Sequence, residues 1–290
     1  MPSVTLSGEG EHLYLDVEKT NVTTTIVQRW LAEHYGVPPM DVSYAGLKDK
    51  RAVARQWFSV RLPGRVAPAG PMPAFEGVRV LGARRHHKKL RPGDLRGNHF
   101  EIVVRNLDDT GSGSVAASID HLRSHAFPNY FGPQRFGRGG GNVDGAAAWV
   151  QDKRPRIPRL QRSMYISTMR SLLFNAVLEE RVARDTWQKV GEGDVAAGDC
   201  PTGPLWGRGR LASSGEVRSL EEEVTSRYPD FRDALEWVGL GQDRRPLAVT
   251  ARGVDCDVGD ATVRLSFELP KGSYATVALA EVFELTEAVR

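Results

Sequence analysis

At 290 residues, with 40% hydrophobic and 26% charged side chains, the chain can hold one large or two ordinary domains with real cores, the profile of a soluble globular protein. Its formal charge of +3 does not exclude RNA as a partner, because a local basic patch decides that and not the sum. No uninterrupted run approaches ~18 apolar residues and the opening Met1-Pro-Ser-Val-Thr-Leu has no charged region before an apolar run, while Cys200 and Cys256 lack Cys-x-x-Cys spacing, so the expectation is a cytoplasmic protein with two free thiols and no membrane association.

Leu13, Leu15 and Val17 alternate with Tyr14 and Asp16, the period of a half-buried strand. A helix is predicted next, with Thr20 or Asn21 as cap and Ile26, Val27, Trp30 and Leu31 as its apolar stripe, ended by Gly36, Pro38 and Pro39. Then comes Ser43 to Val60, where Asp49 stands between Lys48 and Lys50 with Arg51 and Arg55 following. Such a charge run is ordinarily a solvated face. Gly46 and the packed charges also suit a loop that presents a carboxylate to a ligand, and flanking cations fit a nucleophile or electrostatic stabiliser better than a proton donor. Strands are predicted at Gln56 to Leu62 and Val78 to Leu81, separated by a Pro-rich connection from Ala67 to Pro73.

Arg84 to Gly97 is the most basic stretch, with Arg84, Arg85, Lys88, Lys89, Arg91 and Arg96 against Asp94 alone, and phosphate is its natural partner. A strand follows, with Phe100, Ile102 and Val104 alternating with Glu101, Val103 and Arg105, and then a helix from Ser114 to His125. His121 and His125 have chelate spacing but no acid motif beside them, so no metal is assigned. From Pro128 to Gly145, aromatic rings interleave with Arg135 and Arg138, a combination that suits unpaired RNA. Gly139-Gly140-Gly141 lacks the Lys-Ser/Thr ending of a phosphate loop and the spacing of a dinucleotide motif. Helical spacing recurs from Ser163 to Val182 and from Glu221 to Trp237, around a Gly-rich polar stretch from Val190 to Gly215. A strand from Thr262 to Leu269, a turn from Pro270 to Ser273 and a helix containing Ala278, Leu279, Val282 and Phe283 close the chain. Returning strands favour an α+β fold with a mixed or antiparallel sheet over a doubly wound one.

Five separated stretches carry a family resemblance. Ala45-Gly-Leu-Lys-Asp-Lys-Arg-Ala-Val53 resembles the catalytic segment of the TruD family of tRNA pseudouridine synthases. In the family's order follow Arg85-His86 through Lys89-Leu90 with Gly97-Asn98-His99-Phe100, then Pro128-Asn-Tyr-Phe-Gly-Pro-Gln-Arg-Phe-Gly137, Phe267 through Leu269-Pro270, and Gly272-Ser-Tyr-Ala-Thr276. Pro201 to Gly207 also resembles a family loop. The resemblance implies a pseudouridine-synthase catalytic domain in two parts, 1–125 and 246–290, around an inserted domain at 126–245.

It also implies a cofactor-free isomerase whose partner is tRNA, acting as a monomer and typically on the uridine at position 13. The N-glycosidic bond breaks, the uracil turns, and ribose C1′ joins C5. Asp49 would be the nucleophile or stabiliser, with attack at C6 or C1′ left open; Asn98 would orient it, and Phe100 and Phe267 would line the pocket of a flipped base. Arg85, Lys88, Lys89 and Arg135 would contact the RNA. Family members usually begin with an extra strand bearing a Lys that is thought to pair with the catalytic Asp. This chain starts after that segment, which leaves Lys48 as the nearest replacement cation and an RNA-binding protein without catalysis as the alternative reading. A glycoside hydrolase using Asp49 lacks a second carboxylate in a matching motif.

Overall fold

Alternation makes β1 (His12–Thr20): Leu13, Leu15 and Val17 are buried in one core and Lys19 continues their face, but the strand is not half-buried as expected, since Tyr14 and Asp16 on the other face are buried too. The computed structural model describes residues 5–64, 72–105, 112–259 and 261–285 and divides into two units, Met1–Asn98 and His99–Arg290. In the first unit α1 (Thr24–Tyr35) is capped by Thr23, whose hydroxyl accepts from the Ile26 amide. The sequence suggests Thr20 or Asn21 instead, but Thr20 is still in β1 and Asn21 makes the turn with a left-handed φ of 58°. Ile26, expected on the apolar stripe, is 40% exposed, while Val27, Leu31, Ala32 and Tyr35 face the core. Gly36, at φ 58°, closes the helix as an αL cap.

β2 (Val42–Tyr44), β3 (Val53–Arg61) and β4 (Val78–His86) complete an antiparallel sheet of order β2-β3-β1-β4. β3 starts at Val53 and not Gln56, and β4 runs past Leu81 to His86, because β1 offers partners over that whole length. Arg84, Arg85 and His86 therefore sit in the sheet opposite Tyr14, Leu13 and His12. The expected Pro-rich connection lies mostly outside the described residues.

The second unit takes in most of β5 (Gly97–Arg105), then α2 (Ser112–Ser124), β6 (Phe127–Pro128), α3 (Gly141–Gln151), α4 (Arg159–Ala183), β7 (Ala196–Ala197) and β8 (Cys200–Leu205). It continues with α5 (Gly215–Ser226), α6 (Pro229–Trp237), β9 (Asp243–Pro246), β10 (Ala248–Val249), β11 (Arg252–Val258), β12 (Thr262–Pro270) and α7 (Ala275–Ala280). The sheet β11-β12-β5 packs Val263, Leu265, Phe267 and Leu269 against Ile119 and Leu122 of α2 and Ala278 and Leu279 of α7. A separate core gathers Ala146 and Trp149 of α3, Met169 and Leu173 of α4, and Phe231 and Leu235 of α6. The chain is an α+β protein with antiparallel sheets, and among the described residues no helix is long and apolar enough to cross a membrane.

Three further elements differ from the sequence expectation. The helix foreseen from Glu221 to Trp237 is two, since Pro229 disfavours helix at Tyr228 and itself starts α6. The stretch Pro201 to Gly207 is largely the strand β8 and not a loop: it lies between β7, which pairs with Cys200 and Pro201, and β9, which pairs with Thr202 to Leu205. β11 is absent from the sequence expectation although its signal is present: Val254, Cys256 and Val258 alternate with Gly253, Asp255 and Asp257, and the strand pairs with β12 while Val254 and Cys256 pack on the core.

One buried ion pair gives a stability prediction. Arg181 on α4, 3% exposed, donates to both carboxylate oxygens of Asp194, 1% exposed, at 2.8 and 3.0 Å. Asp194→Ala leaves that guanidinium buried without its acid, an expected loss of about 3–5 kcal/mol. At ~2–4 °C per kcal/mol, calorimetry should show the second unit melting roughly 6–20 °C lower. A shift under ~2 °C would mean that the Thr186 carbonyl, which also accepts from Arg181, suffices.

Candidate active site

The segment between β2 and β3 carries Asp49 with its side chain exposed, while its main chain is held at several points. The Gly93 amide donates to the Ala45 carbonyl at 2.8 Å, and the Lys48 amide donates to the Thr24 hydroxyl at 3.0 Å. Thr24, fully buried at the start of α1, in turn donates its hydroxyl hydrogen bond to Gln56 Oε1 of β3 at 3.3 Å. Lys19 donates to the Asp49 carbonyl at 2.5 Å, and the Ala52 amide to the Lys50 carbonyl at 3.0 Å. The run of charges is thus a loop whose backbone is hydrogen-bonded at several points and which offers one carboxylate to solvent.

The cations around Asp49 divide their work. Lys50 and Arg51 are exposed. Arg55 turns away to Asp16, with two Nε contacts at 3.0 Å and one from Nη2 at 2.5 Å, and that carboxylate holds the guanidinium pKa above its ordinary value. The Lys48 ammonium donates to Asn98 Oδ1. Burial lowers the Lys48 pKa and Asp49 opposes that shift. Asn98, expected to orient Asp49 directly, therefore has its side-chain bond with Lys48, the residue next to it.

In the basic stretch, Arg84, Lys88 and Lys89 are exposed and Arg85 is half-buried. Arg85 donates to the carbonyls of Gly10 and Leu62 at 3.3 and 3.5 Å, and Lys89 to that of Met40 at 2.8 Å. The turn after β4 is fixed from below: the Tyr14 hydroxyl donates to the Lys88 carbonyl at 3.1 Å, and the buried Leu90 amide donates to Ser59 Oγ at 3.1 Å. Burial pushes the Tyr14 pKa up to about 12, so this donor keeps its proton. These two bonds tie the main chain down where the cations project.

In the second unit, Phe100 and Phe267 place their ring centres 5.6 Å apart at 34°, with Phe100 half-buried and Phe267 wholly inside the β12 core. Arg135 donates to the Tyr274 hydroxyl at 2.9 Å and to Ser167 at 3.0 Å. The motifs at Pro128 and Gly272 meet on Arg245, which the sequence reading did not single out. It donates to Asn129 Oδ1 at 2.6 Å and to the Gly272 carbonyl at 2.9 Å, and it lies 4.2 Å from the centre of the Phe131 ring. Burial, the largest cause, brings its pKa down to about 10. His121 and His125 stack ring on ring at 4.2 Å, and among the described residues no group of three His, Cys, Asp or Glu side chains could hold a metal.

Lys19 is the other residue that the sequence reading missed. It is 0% exposed, and the signal for it was present: a lysine falls on the next inward position after Leu13, Leu15 and Val17.

The comparisons with known proteins agree with one another. The family model described as tRNA pseudouridine synthase D (TruD) matches residues 2–153 and 197–282. Proteins named tRNA pseudouridine synthase D are similar over nearly the whole chain. The one from Methylococcus capsulatus is 40% identical over 96% of this chain and 85% of its own. The one from Nitrosococcus oceani is 41% identical, covering 98% and 87%. The one from Marinobacter nauticus is 42% identical, covering 98% and 84%. A solved TruD structure from Methanosarcina mazei superposes with a TM-score of 0.65 at 20% identity, over 97% of this chain and 90% of that one, and shows the shared fold.

Proposed function

The chain belongs to the tRNA pseudouridine synthase D family, and from that premise we propose that it isomerises a uridine of tRNA, at position 13, with Asp49 as the nucleophile or stabiliser. The observation that supports this most is the fixed main chain of 45–52, which presents the Asp49 carboxylate outward within the family's motif. In the reaction the N1–C1′ bond breaks and a C5–C1′ bond forms. The proton on C5 leaves to solvent and N1 gains one, so atoms and electrons balance without cofactor or energy source. An ionised carboxylate suits attack at ribose C1′ or uracil C6 alike. Lys48 and Asn98 form one bonded pair beside Asp49, and their proposed role is to keep the carboxylate's neighbourhood polar and ordered.

Phe100 and Phe267 are proposed as aromatic contacts of the extruded base, a role that rests on their motifs. The exposed Lys88 and the neighbouring Arg85 and Lys89 are proposed to meet phosphates, and Arg135 to meet the RNA beside Tyr274. For the proposed division into 1–125, 126–245 and 246–290, the core shared by β5, α2, β12 and α7 supports grouping 99–125 with 246–290 apart from the helices of 141–237, whereas the boundary between the compact units falls at Asn98 and His99. The protein is proposed to act as a monomer in the cytoplasm. No finding supports the alternative of an RNA-binding protein without catalysis.

The direct test is to incubate unmodified tRNA with the purified protein and map pseudouridine at single-nucleotide resolution. A new pseudouridine at position 13 is expected. Modification elsewhere would retain the enzyme and discard the position, and no modification of any tRNA would overturn the proposal.

A further inference from the structure

We propose that Lys19 is a positioning residue for this reaction: its buried ammonium, bonded to the main-chain carbonyl of Asp49, holds the catalytic segment in place and sets a fixed positive charge beside Asp49. The inference rests on the reading of Asp49 as the reacting carboxylate.

Lys19 occupies a position where the fold asks for an apolar side chain. The inward residues before it on β1 are Leu13, Leu15 and Val17, and all join the core shared with α1. A lysine is almost never fully buried unless paired, and taking an ion out of water costs several kcal/mol. Yet among the described residues no carboxylate forms an ion pair with Lys19, and its hydrogen bond goes to the Asp49 carbonyl.

The surrounding charges point to Asp49 as the group the cation serves. Burial lowers the Lys19 pKa, Asp49 raises it, and Lys48 lowers it. Asp49 is thus the acid that favours the charged form. Of the other cations of the segment, Lys48 also feels the Asp49 charge but gives its hydrogen bond to Asn98, Arg55 is bonded to Asp16, and Lys50 and Arg51 are exposed. A buried ammonium held by β1 does not reorient as charge moves during reaction, which is the property that makes a preorganised group effective. Its carbonyl bond also fixes where the Asp49 backbone lies, and hence where the carboxylate can reach.

Lys19→Met, Lys19→Arg and Asp49→Asn are compared with wild type in single-turnover assays at saturating protein, alongside tRNA titrations and thermal melting. Lys19→Met, which fills the space without the charge, is expected to lower the single-turnover rate by ~100-fold while tRNA affinity changes by less than ~3-fold. Lys19→Arg, which keeps the charge, should return at least ~10-fold of that loss. A Lys19→Met rate within ~3-fold of wild type, with Asp49→Asn inactive, overturns the role of Lys19 and leaves that of Asp49 standing. An active Asp49→Asn instead removes the premise.

A reading that needs no change at Lys19 comes from carbon-13 labelling of lysine Cε. In Asp49→Asn the Lys19 resonance should titrate at lower pH than in wild type, because the charge that raises its pKa is gone while Lys48 remains. An unchanged titration overturns the proposal even if the Lys19 variants do not fold.

Discussion

Asp49→Asn is expected to bind tRNA like wild type and to form no measurable pseudouridine, a fall of at least ~1000-fold in single-turnover rate, or about 4 kcal/mol of transition-state stabilisation. An amide cannot attack C1′ or C6, and it cannot balance positive charge on the ribose. The fold should tolerate the change, because the Asp49 side chain is exposed and the bonds of the segment run through main-chain atoms of residues 45, 48, 49, 50 and 52. Pseudouridine formation near the wild-type rate by purified Asp49→Asn would end the assignment of Asp49. Loss of tRNA binding with loss of activity would place Asp49 in recognition instead.

Replacing Arg85, Lys88 and Lys89 together by Ala is expected to weaken tRNA binding and flatten its dependence on salt. Each duplex phosphate contact contributes about 0.9 to the slope of log affinity against log salt, so three contacts predict a slope lower by roughly 2 to 3 units. The chemistry of bound tRNA should change little, since phosphate contacts position the RNA and do not meet the base. Arg85 and Lys89 also bond carbonyls of Gly10, Leu62 and Met40, so melting curves must accompany the titrations. An unchanged slope would make the cluster a solvated face. A collapsed single-turnover rate with intact binding would bring these residues into the catalytic machinery.

The sequence by itself determined the family, through ordered motifs from Ala45 to Thr276, and with it the α+β class, and it singled out Asp49 as the candidate for catalysis. It also determined the elements whose pattern is local. β1 alternates, α4 repeats its apolar positions at helical spacing, and Gly36 ends α1, because strand, helix and cap chemistry act over a few residues. Tertiary structure decided what depends on distant partners. β4 extends to His86 because β1 is there to pair with it, and the short strands β7 and β9 are defined by their pairing with β8. Arg245 joins Asn129 and Gly272 only when segments far apart in the chain pack together. The surroundings of Asp49 are of this kind: Lys19 is 30 residues away, and Lys48 reaches Asn98 across 50. A charged residue's burial and bonding are set by the folded neighbourhood, so the sequence could present Asp49 but not the lysine that holds its backbone.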